Sequence, residues 1–142
     1  MIVRPMQEDD VTDVTLLCAQ LGYPSAEKQV LVRMKLCMGD KDHRMFVAQT
    51  AAGKVIGWVH VQGRRSLIAD PFAQIIGLVT DEGHRGQGIG RALMSEAEKW
   101  ARGQGYGDVL LYTNIVRTDA PRFYQRMGYV VDKTSYLFHK RL

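Results

Sequence analysis

The strongest constraint in this chain is a glycine pattern, Val79-Thr-Asp-Glu-Gly-His-Arg85-Gly-Gln-Gly-Ile-Gly90-Arg-Ala-Leu93. An apolar run from Ala73 to Val79 reaches an abrupt turn. Three glycines then alternate (Gly86, Gly88, Gly90), and an amphipathic helical pattern begins. Glycine lets a backbone turn tightly and approach a ligand with no Cβ in the way. The start of the helix adds N–H donors without intrahelical acceptors and a partial positive charge. Together these features make an anion cradle, and a pyrophosphate suits it best.

Two common cradles are excluded. A Walker loop ends Gly-Lys-Ser/Thr, whereas this one ends Gly90-Arg91-Ala92. A dinucleotide fingerprint needs a third glycine where Arg91 stands. Asp108 lies about 20 residues downstream, where a ribose-binding acid is expected, but it opens a strand instead of closing one. What remains is an arginine followed by G-x-G-x-G/A after a strand, which Arg85-Gly-Gln-Gly-Ile-Gly90 fits throughout.

The 142 residues suffice for one domain, taken as 1–142, with a core that needs neither disulfides nor metals. The net charge of +4 comes from scattered arginines rather than a basic stripe, which argues against nucleic acid as a partner. Cys18 and Cys37 sit in apolar helical patterns without a C-x-x-C, as in a cytoplasmic protein. No His/Asp/Glu cluster has metal-ligand spacing, so no metal is expected. No stretch of 18 apolar residues occurs, and no membrane partner is expected.

Along the chain, Ile2 to Pro5 reads as an edge strand, and Asp9 or Asp10 as the cap of a helix closed by Gly22. Pro24-Ser25 opens a second helix. Met45 to Gln49 and Val55 to Val61 read as two strands joined at Ala52-Gly53. Phe72 to Thr80 is nearly continuous apolar, like a central strand covered on both faces. The glycine loop and its helix follow, the helix being stopped at Gly103-Gln-Gly105. Asp108 to Tyr112 is a strand, Thr118 or Asp119 caps a short helix ended by Gly128, and Tyr129 to Lys140 reads as a last strand. The order β-α-α-β-β-β-α-β-α-β is a mixed α/β sheet with a parallel crossover in its second half.

A second constellation, Thr113-Asn114 and then Asp119-Ala-Pro-Arg-Phe-Tyr124-Gln-Arg-Met-Gly-Tyr129, follows the penultimate strand. Both motifs, in this order, resemble the GNAT superfamily of acetyl-coenzyme A dependent N-acetyltransferases. The segment Thr113 to Tyr129 is also similar to that of aminoalkylphosphonate and other small-amine acetyltransferases. The resemblance implies a sheet splayed between the strand ending at Val79 and the strand ending at Tyr112. Acetyl-CoA, as cosubstrate, would lay its pantetheine arm against Leu78 and Val79. Its pyrophosphate would meet the N–H groups of Arg85, Gly86, Gln87, Gly88, Gly90 and Arg91. Asn114 would hold the arm from the opposite side, and Arg122 or Arg126 would reach the 3′-phosphate.

The implied reaction is attack of a primary amine of a small molecule on the thioester, within a ternary complex. The N–H of Val79 is expected to meet the oxyanion, and Tyr124 matches the family's acid for the departing thiolate. Many relatives carry a Glu base on the strand before the loop; the two matching positions here are Gln74 and Ile76, which cannot titrate. His60 is the leading substitute, and an amine that arrives neutral needs none. Arg64 and Arg65 offer charge for an acidic substrate. Acetylation of a protein lysine or N-terminus, and a non-catalytic acyl-CoA sensor, are the alternatives. A homodimer is common in the superfamily.

Overall fold

The computed structural model describes residues 1–142 and divides into two compact units, Met1–Leu111 and Tyr112–Leu142. In the first unit five strands form one sheet in chain order: β1 (Ile2–Pro5), β2 (His43–Gln49), β3 (Val55–Arg64), β4 (Phe72–Thr80) and β5 (Val109–Leu111). The first four are antiparallel neighbours, and β5 joins β4 in parallel. A parallel neighbour needs a crossover, and the helix α3 (Ile89–Gly103) supplies it.

Helices α1 (Val11–Leu21) and α2 (Glu27–Met38) fill the connection between β1 and β2. Val14 and Leu17 of α1 pack with Val30 and Met34 of α2 onto Val47, Val55 and Val79 of the sheet. Burying each such side chain is worth roughly 1.5–3 kcal/mol relative to exposure. Gly22 ends α1 as anticipated: at φ 108° it takes the left-handed conformation, and its N–H donates to Ala19 O at 3.1 Å. Asp10 stands at the start of α1 but does not cap it through its side chain. Its carboxylate instead accepts Arg4 Nη1 and Nη2 at 2.9 and 2.7 Å and the Gln7 N–H at 2.8 Å. A buried acid needs such partners, so the charge expected at a helix end serves to hold β1 instead.

The other layer is α3, whose Ile89, Leu93, Met94, Ala97 and Ala101 are all buried and which packs on β2, β3 and β4. Gly57 makes this close approach feasible. A Cβ there would lie 3.0 Å from Val79 O, 3.1 Å from Leu93 Cδ1 and 3.2 Å from Ile89 Cγ2. The first turn of α3 is therefore seated directly on β3.

The second unit contains α4 (Asp119–Arg126), preceded by Thr118 at its N-cap. Gly128, at φ 94°, reverses the chain after α4, and the Tyr129 N–H returns to Tyr124 O at 3.0 Å. Residues 129–142 carry no regular secondary structure, which corrects the reading of Tyr129 to Lys140 as a strand. Their β-branched and aromatic residues suit an extended chain. A strand, however, exists only through a ladder with a neighbour, and this unit contains no other strand.

Candidate functional site

The β4–β5 ladder is short. It joins Ala73, Gln74 and Ile75 to Val109, Leu110 and Leu111 and goes no further. Beyond Ile75, β4 continues for five residues beside β3 alone. A bulge at Ile76 interrupts the β3–β4 register, since Val61 faces Ile75 whereas His60 faces Gly77. The splay implied by the motifs is thus present as an open edge on β4.

Which groups line that edge follows from the register. The Asp81 N–H donates to Ile56 O at 2.7 Å, and Thr80 faces Gly57 while Val79 faces Trp58. In an antiparallel pair, residues alternate between exchanging hydrogen bonds with the neighbour and turning their N–H and C=O away. If Asp81 bonds across to β3, so does Val79. Leu78 and Thr80 then present their backbone groups to the splay. This corrects the expectation that the Val79 N–H meets the oxyanion: that N–H belongs to the β3 ladder, and the donor on the open edge is Leu78. The Val79 side chain is buried in the α1–α2 core.

The edge runs straight into the glycine loop. Residues Glu82–His84 form one 3-10 turn, with the Asp81 side chain accepting from the Gly83 N–H at 3.2 Å and from His84 Nδ1 at 2.8 Å. Gln20, from α1, clamps this turn twice. Its Nε2 donates to Asp81 Oδ1 at 2.8 Å, and its Oε1 accepts the Glu82 N–H at 2.9 Å. The hydrogen bonds from Gln20 and then His84 hold the Asp81 carboxyl down at about 2. Gly86 (φ 77°) and Gly88 (φ 80°) are both left-handed, a conformation that costs any residue with a Cβ. Gly88 is the N-cap of α3. Arg85, Gly86, Gln87 and Gly88 are exposed, and the first turn of α3, with Gly90 and Arg91, directs its N–H groups to the same end of the helix. Gln20 and Asp81 were not singled out from sequence. Asp81-Glu82-Gly83 does carry the signature of a side chain closing its own turn, but the Gln20 contact spans 61 residues.

The second unit holds the other motif. The Asn114 Oδ1 accepts the Val116 N–H at 3.1 Å and its carbonyl accepts the Arg117 N–H at 3.0 Å, forming a tight turn ahead of α4. Tyr124 lies edge-on to Phe123 and Tyr129, with ring centroids 5.0 and 5.9 Å away. Burial holds its phenol above the ordinary value, with Arg117 pulling the other way.

Several polar residues are committed elsewhere. Arg64 Nη1 donates to Gln74 Oε1 at 2.6 Å, and Arg65 is paired with Asp42. The two arginines offered to an acidic substrate therefore already have partners in the chain. Ile76, the other position without its expected acid, is the bulge residue and is 46% exposed. His60 Nε2 faces His43 Nδ1 at 2.8 Å. Burial first, and the neighbouring His43 second, push His60 down to about 4. A base so weak, with its ring nitrogen occupied, is poorly suited to taking a proton from an ammonium. Nor does the lack of metal-ligand spacing in the sequence carry over to space, because Cys37 joins these two histidines in one cluster.

An open strand edge here leads into a glycine-lined helix N-terminus, which offers unpaired backbone groups and a partial positive charge. The acetyltransferase (GNAT) family model matches residues 9–129, and the chain belongs to that family. It is 34% identical over 113 residues to an N-acetyltransferase of Bacillus subtilis named YhdJ, covering 78% of this chain and 76% of that one. It is 31% identical over 110 residues to N-acetyltransferase 8 of Rattus norvegicus, covering 72% of this chain and 46% of that one. The chain thus spans less than half the length of this mammalian relative. Among solved structures, the aminoglycoside acetyltransferase AAC(6')-Iy, in complex with a CoA-linked acetylneamine bisubstrate analogue, superposes with a TM-score of 0.89 at 17% identity. That likeness covers 99% of this chain and 98% of the other, and it concerns the fold. No helix is long and apolar enough to cross a membrane.

Proposed function

We propose that this chain transfers the acetyl group of acetyl-CoA to the primary amine of a small molecule. The observation that carries the reading is the β4 edge, open beyond Ile75 and continuous with the glycine loop. The pantetheine arm has the hydrogen-bonding groups of a peptide and adds to that edge as a short extra strand at Leu78 and Thr80. The pyrophosphate rests on the N–H groups of Arg85 to Gly88 and the first turn of α3. Asn114 supplies a side-chain amide to the arm.

In this reading the amine nitrogen attacks the thioester carbonyl carbon, and the oxyanion accepts the Leu78 N–H. Collapse of the tetrahedral intermediate breaks the C–S bond, and Tyr124 protonates the sulfur. A phenol held above its ordinary range by burial stays protonated at neutral pH and can still donate a hydrogen bond to the departing thiolate. The amine arrives neutral and loses its extra proton to water, which fits the absence of an acid at Gln74 and Ile76 and the engagement of His60. The relative complexed with a CoA-linked aminoglycoside analogue supports an amine of modest size.

The test is coenzyme A release from acetyl-CoA across a panel of small amines, aminoalkylphosphonates, aminoglycosides and short peptides, with a calorimetric titration by coenzyme A. Release with one small-amine class is the expected result, at rates that rise with pH as that amine deprotonates. Release with peptides alone moves the substrate to proteins. Coenzyme A binding without release from any acceptor favours a sensor, and no binding overturns the reading.

A further inference from the structure

We propose that Cys37, His43 and His60 form a binding site for a single transition-metal ion, with zinc as the ion that fits the donors best. The three residues come from the last turn of α2, the start of β2 and the middle of β3. Their ligand atoms all lie within 4.8 Å of one another. No pair of them is closer than six residues in sequence, so no local spacing announces the site.

Several observations converge here. On the β2–β3 ladder His60 is opposite Met45 and His43 is opposite Gln62, so the two histidines are diagonal neighbours. Their rings approach with centroids 5.0 Å apart, and the nitrogens Nδ1 of His43 and Nε2 of His60 point at each other across 2.8 Å. Two ring nitrogens that converge in this way share one proton without an ion, and both become ligands with one. Zn–N bonds of ~2.0–2.1 Å at tetrahedral angles put two nitrogens about 3.3 Å apart. The pair must open by only about half an ångström, a movement within reach of small side-chain rotations. The Cys37 sulfur completes three protein ligands.

The donors select the metal. A thiolate with two imidazoles is a borderline-soft set that suits zinc, and it contains none of the oxygen ligands that magnesium or calcium require. Asp40 Oδ2 lies 3.8 Å from His43 Nε2, the ring nitrogen that does not face the cluster. A carboxylate at that distance makes no hydrogen bond, but its charge favours the tautomer with the proton on Nε2, which leaves Nδ1 free as the ligand. One member of the cluster, His43, also lines a cavity of about 320 Å³ together with Asp40, Met38 and Lys41. Burial holds the Cys37 thiol above its ordinary range, so ion uptake releases a proton from it.

The ion would tie the end of α2 to the two strands beneath it. It uses none of the residues assigned to acetyl transfer, and its test does not depend on that reaction. Metal-stripped full-length protein is titrated with zinc by calorimetry and with cobalt(II) by absorption. The expected result is one ion per chain, a higher Tm with zinc, and a cobalt spectrum combining thiolate charge transfer with the intense visible bands of a tetrahedral ion. Cys37→Ser removes the charge-transfer band and weakens zinc binding at least ~10–100-fold. His43→Gln also weakens zinc binding but keeps the band, and Cys18→Ser behaves as the parent. An octahedral cobalt spectrum without charge transfer overturns the site, as does zinc binding that survives Cys37→Ser unchanged. The cluster is then a hydrogen-bonded histidine pair beside a free thiol.

Discussion

The Asp81 N–H donates to the carbonyl of Ile56 at 2.7 Å, and this bond sets which backbone groups of β4 face the splay. One residue of register separates a donor inside the ladder (Val79) from a donor on the open edge (Leu78).

Replacing the Leu78 amide by an ester removes one N–H and changes no side chain. Loss of an oxyanion donor costs about 10²–10³ in kcat, and that is the expected drop at Leu78. The same replacement at Val79 removes a ladder bond, lowering stability by about 1 kcal/mol and sparing kcat. Semisynthetic proteins compared by stopped-flow kinetics and urea unfolding check both. Equal kinetic losses at the two positions would sink the register argument.

Asp81 gives the glycine loop a pH-dependent anchor. Its carboxyl is lowered in the folded chain from 3.8 to about 2, so its contribution is complete above the unfolded value. That contribution is lost as pH falls from about 4 towards 2. Thermal unfolding of the parent and Asp81→Asn between pH 2 and 6 should show a Tm gap that is widest near pH 6 and closes towards the acid end. Gln20→Ala removes the clamp from the other side and should raise the Kd for coenzyme A.

Gly77 has no room for a side chain. A Cβ there would lie 2.9 Å from the Trp58 ring carbons, so Gly77→Ala should cost about 1–3 kcal/mol by overpacking. Combining it with Trp58→Leu should cost less than the sum of the two single changes, because the clash partner is gone. Additive losses in urea melts would place the strain elsewhere.

Tyr124→Phe keeps the aromatic packing with Phe123 and Tyr129 and removes the hydroxyl. General acid catalysis typically contributes 10²–10⁴, so kcat should fall by about 10²-fold or more while the Kd for coenzyme A stays within about twofold. Because burial raises this phenol, any alkaline limb of the parent's kcat profile that belongs to Tyr124 should lie above the ordinary tyrosine range. An unchanged kcat in Tyr124→Phe removes the residue as the acid.

The sequence by itself determined the elements whose signals are local. Ile2–Pro5 and Phe72–Thr80 are strands with the bounds their apolar runs and punctuation suggest, and α3 begins at the glycine loop and ends at Gly103. The glycine loop was legible for the same reason: left-handed turns demand glycine at particular positions, and Gly86 and Gly88 meet that demand within one loop.

Tertiary structure decided whatever depends on a partner distant in sequence. The strand reading of Tyr129 to Lys140 failed because apolar alternation states a propensity, whereas a ladder needs a neighbour. Gln20 reaches Asp81 across 61 residues, and Arg64 and Arg65 find Gln74 and Asp42 only once the strands are paired. The switch from Val79 to Leu78 came from register, which composition does not encode. The Cys37–His43–His60 cluster assembles because α2 ends near the β2–β3 ladder, where diagonal cross-strand positions bring two imidazoles together at a tilt of 44°. Sequence periodicity specifies which face of an element is buried, and only packing specifies what that face meets.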